Sequence, residues 1–390
     1  MNESLRPTLD LIQRRALIAG GVGMLLALIG ALFGLTPFLQ SYLYAYFFWI
    51  GIALGSLAWL MIHHTVWGKW GFIARRILEA AAMVIPLMAL LFLPILFGMP
   101  YLFPWANPVI AAGDALIQAK AAYLNVPFFA VRAVLYFVIW ILLAFLLYHW
   151  STRLDETGDM KYHRYAKVLA PPGIIFYFLA MTFAAFDWGM SLDPHWFSGI
   201  YGVIFIIGQG LSAMAFTVAV LVLLSRYKPL SEVIHPKQIS DLGNFLLAFT
   251  MLWAYTSFSQ FLIIWSANLG EDNIWYLVRM SGGWRILALF IVVFHFFVPF
   301  FILLSRRVKR NAHVLTTVAL LIIFMRVVDL FWQLVPSFGR IGWQLSPLDP
   351  IMFIAIGGFW LAAFIWQLKS RALLPKYDPK IEAVAGVHHD

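Results

Sequence analysis

The sequence predicts an all-α polytopic membrane protein with ten transmembrane helices. Of its 390 residues, 63% are hydrophobic and only 12% are charged, whereas a soluble protein carries about 25% charged residues. The mean hydropathy is +0.85, so most side chains need lipid or other apolar helices as neighbours. These values exclude an enzyme built of globular aqueous domains.

Ten apolar segments are each long enough to cross about 30 Å of hydrocarbon, which takes roughly 20 helical residues. We predict spans 1 to 10 at 16–36, 41–62, 77–98, 128–149, 171–187, 199–225, 242–266, 283–304, 313–335 and 350–368. Span 1 follows Arg14 and Arg15 as a signal peptide would, but it is longer than a secretory hydrophobic region and no small-residue cleavage site follows it. It is therefore predicted to be a retained anchor.

The basic residues are distributed unevenly between the two sides of the predicted membrane. The N-terminus, the loops after even-numbered spans and the C-terminal tail hold 21 of the 27 Lys and Arg residues. The other six are Lys120, Arg279 and Arg340 in the opposite loops and Arg132, Arg285 and Arg326 in the spans. The positive-inside rule then places both termini in the cytoplasm, as expected for a multi-pass protein of a bacterial inner membrane. The net charge of +9 is thus an orientation signal and requires no nucleic-acid partner.

Spans 2–5 and spans 6–9 share internal features that predict a duplicated unit. Arg132 and Arg285 lie near the outer starts of spans 4 and 8, and Asp187 and Asp329 lie near the outer ends of spans 5 and 9. Two four-helix bundles of the same orientation would be related by a pseudo-two-fold axis along the membrane normal. We therefore predict span 1 within 1–40, the first bundle at 41–198, the second bundle at 199–336, and span 10 with a cytoplasmic tail at 337–390.

Five charged residues fall inside the predicted spans at one depth, in the outer third of the membrane. They are Arg132, Asp187, Arg285, Arg326 and Asp329. An ionisable group there is costly unless it is paired or hydrated, so each is a functional candidate. One hypothesis is that the two carboxylates exchange protons against fixed guanidinium charges. The other is that they form structural ion pairs or that the arginines reach the interface.

Further proton-transfer candidates lie at other depths. They are Tyr136 one turn after Arg132, His295 in the middle of span 8, Glu79 at the start of span 3, and His63 with His64 at the cytoplasmic end of span 2. Histidine titrates near neutral pH and suits proton uptake. The alternatives are that the histidines are interfacial hydrogen-bonding groups and that Glu79 forms an exposed ion pair with Arg75 at the helix start.

The absence of cysteine limits the cofactors that the chain can hold. Iron–sulfur clusters, c-type haem attachment and Cys-based zinc sites all need sulfur ligands, and the sequence has none. Of ten histidines, only His295 lies near a span centre, so a haem held by two histidines is not expected. No metal site is predicted, and redox chemistry would belong to a partner or to a bound molecule.

Aromatic residues make up 17% of the chain and include 17 Trp. A quinone headgroup needs an apolar cleft, a ring to stack against and one or two protonatable partners. Trp188, His195 and Trp196 around the loop after span 5, and Trp332 beside Asp329, are the candidates for such a site. The alternative is that these rings belong to interfacial aromatic belts.

Ten spans with cytoplasmic termini, two four-helix units and no cysteine resemble the NrfD or polysulfide-reductase type of membrane subunit. The FWIGIALGS segment at 48–56, followed by His63 and His64, and the AFDWGMSL segment at 185–192 are similar to the F subunits of bacterial alternative complex III. The resemblance covers nearly the whole chain.

This resemblance implies an integral subunit of a respiratory or photosynthetic quinol:electron-acceptor oxidoreductase that catalyses nothing alone and contributes to proton transfer. Its expected partners are membrane lipid, a homologous membrane subunit, an iron–sulfur subunit and c-type haem subunits. It would hold no metal, and its possible ligands are lipids and a quinol or quinone of the menaquinone or ubiquinone type. Three alternatives stay open: a subunit that itself binds quinol, a structural scaffold, and an independent secondary transporter.

Overall fold

The computed structural model describes residues 5–340, 342 and 344–377. In this part of the chain the regular secondary structure is entirely helical, which confirms the predicted all-α class. Ten helices are long and apolar enough to span a membrane: Arg6–Ala31, Leu35–Val66, Lys69–Phe97, Val126–Thr157, Lys161–Leu192, Tyr201–Leu224, Pro236–Ala267, Gly282–Leu304, Ala312–Phe338 and Leu348–Lys369. They keep the numbers of spans 1 to 10. The predicted tail from residue 378 onward lies outside the described residues.

Several helices extend beyond the apolar segments that predicted them. Span 1 begins at Arg6 rather than at 16, and span 5 begins at Lys161 rather than at 171 and continues through Pro171 and Pro172. Hydropathy detects the part of a helix that lies in hydrocarbon, whereas the hydrogen-bonded helix continues into the polar interface. Span 3 likewise begins at Lys69 and not at 77, which places two arginines and Glu79 within the helix.

Ten spans return the chain to the side on which it began, so we call the face with both termini the terminal face and the opposite one the distal face. Short helices cover the distal face: Met99–Leu102, Pro104–Ala106, Pro108–Ala112, Ala115–Ala119 and Gly270–Arg279. We call Gly270–Arg279 the distal helix. Leu230–Val233 and Arg306–Arg310 lie at the terminal face. That the terminal face is cytoplasmic stays a prediction.

Spans 2 and 6 form the centre of the protein and are the most buried of the ten. They approach closely at Gly55, where an added Cβ would lie 2.2 Å from the backbone carbonyl oxygen of Gln209. Only glycine lets the two backbones come this near, as is common between membrane helices. The small-residue segment of span 2 therefore serves helix packing.

The neighbours of the other spans repeat between the two halves of the chain. In the first half, spans 2 and 4 each contact both span 3 and span 5. In the second half, spans 6 and 8 each contact both span 7 and span 9. Spans 1 and 10 pack along each other, and span 10 also packs against span 2. The duplication into two four-helix bundles and the pseudo-two-fold axis stay predictions.

Candidate functional site: a lipid-facing cavity beside Asp329

Asp329 is a buried carboxylate in span 9, with 2% of its surface exposed. It forms an ion pair with Arg326 of the same helix. Gln333 Nε2, one turn further along, donates to Asp329 Oδ1 at 2.9 Å, and Trp253 Nε1 of span 7 donates to Oδ2 at 3.2 Å. The predicted shared face of Arg326, Asp329 and Gln333 is thus present, and span 7 adds a donor.

Span 6 fixes the position of the Arg326 guanidinium. An added Cβ at Gly208 would lie 2.3 Å from Arg326 Cζ, so glycine leaves the space that the guanidinium occupies. The Phe205 ring lies one turn earlier, with its centroid 5.6 Å from Cζ. Arg326 is therefore held against Asp329, and its charge is compensated within the pair.

A cavity of about 500 Å³ lies next to Asp329. Its walls come from spans 7, 8 and 9, from Ile204 of span 6 and from the distal helix, and most of its lining is apolar. Phe258 and Phe297 line it on the membrane side and are 60% and 44% exposed. Because these exposed rings lie on apolar membrane-spanning helices, we infer that the cavity opens toward lipid between spans 7 and 8.

A few polar side chains lie within this apolar lining. They are Ser257, Gln260, Tyr276, Asp329 and Gln333. Gln260 Oε1 accepts from the Ser198 hydroxyl at 2.9 Å and its Nε2 donates to the Tyr276 oxygen at 3.2 Å. Burial raises the pKa of Tyr276 to about 12, so its hydroxyl keeps a proton at neutral pH and remains a donor. The cavity thus offers one carboxylate and one phenolic donor.

Three tryptophans complete the wall around these polar groups: Trp253, Trp275 and Trp332. The rings of Trp275 and Trp332 meet edge to face, with centroids 5.7 Å apart. Such rings offer flat surfaces against which a planar headgroup can stack. An apolar cavity with aromatic walls and few convergent polar groups is the usual form of a small-molecule site.

Asp187, the matching carboxylate of the first half, lies in a closed arrangement. Arg132 Nε and Nη2 donate to its two oxygens at 2.8 and 2.9 Å, and the Tyr136 hydroxyl donates to Oδ2 at 2.8 Å. The carboxylate is 0% exposed, and the Arg132 guanidinium lies over the rings of Tyr123 and Phe128. This bidentate pair has the geometry of a structural tie between spans 4 and 5.

Arg285 lies apart from the Asp329 cluster. The expected equivalence with Arg132 implies a pair between Arg285 and Asp329, but Asp329 takes Arg326 from its own helix instead. Arg285 is exposed near the distal end of span 8, where a long basic side chain can reach the interface. This position favours the hypothesis that Arg285 reaches the membrane interface over the hypothesis that it takes part in proton exchange.

Glu79 is buried in the middle of helix Lys69–Ala82 rather than exposed at a helix start. Its pair with Arg75 is present at 3.7 Å, but Arg76 Nη1 is nearer at 2.7 Å and Arg371 Nη1 lies at 3.0 Å. Ser151 donates to it at 2.6 Å. The expectation of an exposed pair was wrong because the helix begins ahead of the apolar segment.

The segment after span 10 crosses this cluster at the terminal face. Arg371 Nη2 donates to Asp155 Oδ2 at 2.8 Å, and the backbone N–H of Lys376 donates to Asp155 Oδ1 at 3.2 Å. Ser370 shares a hydrogen bond with Tyr148 at 3.2 Å. Residues 370–377 thus form a strap that covers Glu79 and joins the ends of spans 3, 4 and 10.

We expect the strap to shield Ser151 from water. A Ser151→Cys variant introduces the only thiol, since the natural chain has no cysteine, and the site is 5% exposed. It should react slowly with a water-soluble maleimide, and adding Arg371→Gln should speed labelling on the order of tenfold by easing local opening. Thr157→Cys at an exposed position is the control with fast labelling in both backgrounds. Equal rates at position 151 with and without Arg371 would refute the shielding role.

The predicted histidines occupy different settings. His63 and His64 are buried at the terminal end of span 2, and both rings contact Trp67. His295 is 0% exposed and meets the Trp253 ring edge to face at 4.3 Å. It lies in the π-helical stretch Val292–Phe297, just before Pro299, which has no N–H to continue the regular ladder. Such π-helical turns are frequent at functional sites.

The four quinone-site candidates are dispersed. Trp188 is fully buried among aromatic side chains, including Phe92 at 4.7 Å between centroids, and it does not line the cavity beside Asp329. Trp196 is buried and stacks on Trp275 at 4.6 Å. His195 is exposed on the distal face and pairs with Asp114 at 2.8 Å. Only Trp332 lines the lipid-facing cavity.

Two functional groups of this region carry no obvious sequence signal. Tyr276 and Arg279 belong to the distal helix, which is too short and too polar to register as a span. Sequence reasoning counted Arg279 as one basic loop residue, whereas it is buried, with 1% exposure.

Asp349 was also missed: it pairs with Arg340 at 2.7 Å and accepts from Ser41 at 2.5 Å, which ties span 10 to span 2.

A comparison of the sequence with models of known protein families finds no match, and neither does a comparison with characterised proteins.

Proposed function

We propose that this chain is an integral membrane subunit of a quinol:electron-acceptor oxidoreductase of the NrfD or polysulfide-reductase type, as in alternative complex III. We further propose that its lipid-facing cavity binds the quinol headgroup. The observation that carries this proposal is a buried carboxylate, Asp329, at the wall of an apolar, aromatic-lined cavity that opens toward lipid. A lipid-soluble diol is the ligand class that suits both the entrance and the polar groups.

The side chains of the cavity have chemistry that suits quinol oxidation. Asp329 can accept a hydrogen bond and then the proton of one quinol hydroxyl: the O–H bond of the quinol breaks and an O–H bond forms at the carboxylate. Tyr276 can donate to the second oxygen, and Trp275 and Trp332 offer rings to the headgroup. Oxidation to the quinone also releases a second proton and two electrons. The second proton leaves to water, and the electrons leave to a metal-bearing partner subunit, because the cysteine-free chain offers no thiolate-held centre.

Filling the cavity should abolish quinone binding. Ala288 lines the cavity, whereas its neighbour Leu289 faces outward with 65% exposure. We expect Ala288→Trp to remove most photolabelling by an azido-quinone within spans 7–9, because an indole occupies much of a headgroup's volume. Leu289→Trp, with the same residue on the lipid side, should label as the wild type does. Undiminished labelling in Ala288→Trp, or labelling confined to a partner subunit, would contradict the proposal.

A second candidate function is transmembrane proton transfer coupled to that oxidation. Its support is a set of buried polar atoms that find no hydrogen-bond partner among the described residues: both ring nitrogens of His295 and the Thr250 hydroxyl. Buried groups of this kind are normally satisfied by water. Trp253 joins this region to Asp329. If the chain transfers protons across the membrane, the complex should release more protons per quinol oxidised than the two that the quinol itself carries. A measured ratio that never exceeds two would exclude this role.

A further inference from the structure

Arg279 ends the distal helix and lies behind the wall of the lipid-facing cavity. Its Nη1 donates to the Trp275 carbonyl at 3.1 Å, and its Nη2 donates to the Gln333 carbonyl at 2.6 Å and to the Ser337 hydroxyl at 2.8 Å. Every one of these acceptors is neutral. With 1% exposure, this is a buried guanidinium held by dipoles rather than by an anion.

The charge of Arg279 has no close counterpart in the described part of the chain. No carboxylate there lies within 4.0 Å of it, and its Nε makes no hydrogen bond. Asp193, Tyr201 and Tyr276 act on it only from a greater distance. Burial lowers the pKa of Arg279 to about 9, which still leaves it protonated at pH 7. A buried charge without a partner is costly, so its presence calls for an explanation.

Arg279 contacts several residues that form the cavity wall. Its guanidinium carbon lies 3.6 Å from the centroid of the Trp275 ring, and its carbonyl accepts from Trp332 Nε1 at 3.2 Å. Trp275, Trp332 and Gln333 all line the lipid-facing cavity. On its other side, Arg279 lines a second cavity of about 280 Å³ at the distal face, which has a mixed polar and apolar lining and includes Asp193 and His195. It therefore stands between the quinol cavity and the distal surface.

We propose that Arg279 is an electrostatic positioning residue that makes the lipid-facing cavity prefer an anionic headgroup. The inference rests on the proposed function and deepens it by assigning the ligand's charge state. Transfer of a proton from quinol to Asp329 leaves the negative charge on the quinol oxygen, inside an apolar cavity. A fixed cation behind the Trp275 ring lowers the cost of that charge without contacting the substrate.

While Asp329 is ionised, the other cations around the cavity do not supply this preference. Arg326 then forms an ion pair with Asp329, so the two charges largely cancel; once Asp329 has taken the quinol proton, the Arg326 charge adds to that of Arg279. Arg285 is exposed at the lipid side of span 8. Among the described residues, Arg279 is thus the buried cation near the cavity without an ion pair.

A purely structural role for Arg279 makes a different prediction. If the residue only braces Trp275, Trp332 and Gln333, its loss weakens binding of neutral and anionic headgroups alike. If its charge matters, its loss weakens binding of the anion selectively, and lysine, which keeps the charge but loses most of the hydrogen bonds, restores part of the preference.

The test compares two probes on the full-length chain in lipid nanodiscs at pH 7. The probes are 1,4-naphthoquinone, which is neutral, and 2-hydroxy-1,4-naphthoquinone, which is an anion at this pH. We expect Arg279→Gln to lower the ratio of anion affinity to neutral affinity on the order of tenfold, with Arg279→Lys in between. Lys120→Gln removes a distal charge whose Nζ donates to the Pro194 carbonyl and should leave the ratio unchanged.

The outcomes separate this inference from the proposed function. An unchanged ratio in Arg279→Gln, with both probes still bound, overturns the role of Arg279 and leaves the quinol site intact. Equal losses of affinity for both probes show that Arg279 acts only by holding its neighbours in place, which also overturns its electrostatic role. Failure of the wild-type chain to bind either probe overturns the proposed function itself.

Discussion

Replacing Arg132 by methionine is expected to destabilise the protein by about 3–5 kcal/mol, the usual cost of removing one partner of a buried ion pair. Asp187 is 0% exposed and receives both of its guanidinium hydrogen bonds from Arg132. Without them its charge stays buried, with the Tyr136 hydroxyl still donating to it. The chain should therefore show a lower melting temperature in detergent and poorer assembly in the membrane.

Removing both partners should restore much of the lost stability. An Arg132→Met, Asp187→Leu double variant leaves no buried charge, and replacement of a buried pair by apolar residues of similar volume is often neutral. Lys161→Met, which removes an exposed partner of Asp159 at 2.9 Å, is the matched control with little expected change. A double variant as unstable as the single one would show that the pair itself contributes the stability.

The same double variant decides whether Asp187 takes part in proton transfer. A structural tie between spans 4 and 5 predicts unchanged quinol-driven proton release in membrane vesicles once the protein assembles. A proton-exchange role for Asp187 predicts loss of that release at normal stability. The sealed, bidentate geometry leads us to expect the first result.

The membrane architecture was predictable from the sequence because it depends on the number and length of apolar segments, which can be read from the sequence directly. Apolar length sets the number of spans, and all ten were found. Their ends were less predictable: the boundary of the apolar segment at 77 placed Glu79 at a helix start, whereas the helix begins at Lys69. Helix capping and tertiary contacts set the end of a helix, and neither is visible in hydropathy.

The pairing of charges was predictable only in part. Arg326, Asp329 and Gln333 share a helix face by their spacing alone, and the structure places them together. The pair between Arg132 and Asp187 joins two helices, so it depended on the internal repeat and on packing. That repeat misled at Arg285, because the second half supplies the guanidinium from span 9 rather than span 8.

The cavity itself could not be derived from the sequence. Its walls combine four spans with the distal helix, and no periodicity marks which faces leave a gap. The quinone candidates are aromatic residues near carboxylates, and of these Trp332 lies in the cavity wall whereas Trp188 lies in the packed interior. The local sequence does not show whether a tryptophan lies in a packed core or in a cavity wall, because that depends on how the helices pack.

Asp329→Asn is expected to lower quinol oxidation by the assembled complex by about 10²–10⁴-fold, the usual contribution of a positioned proton acceptor. Binding of the quinone should change little, because the amide keeps a hydrogen-bonding oxygen toward the cavity. The expected signature is thus a loss of kcat with a nearly unchanged KM.

Loss of the charge at position 329 also strands Arg326, so a defect in folding must be separated from a defect in chemistry. Asp329→Glu keeps an acid beside Arg326 and should recover part of the turnover if a proton acceptor is what matters. Asp114→Asn removes a half-buried distal carboxylate that pairs with His195 and should leave turnover unchanged. If Asp329→Asn assembles normally and oxidises quinol at the wild-type rate, Asp329 accepts no proton and the cavity beside it serves another ligand. If instead the glutamate variant recovers turnover while the asparagine variant binds quinone and stays inactive, proton acceptance at this position limits the reaction, since the two variants differ in acidity rather than in access to the cavity.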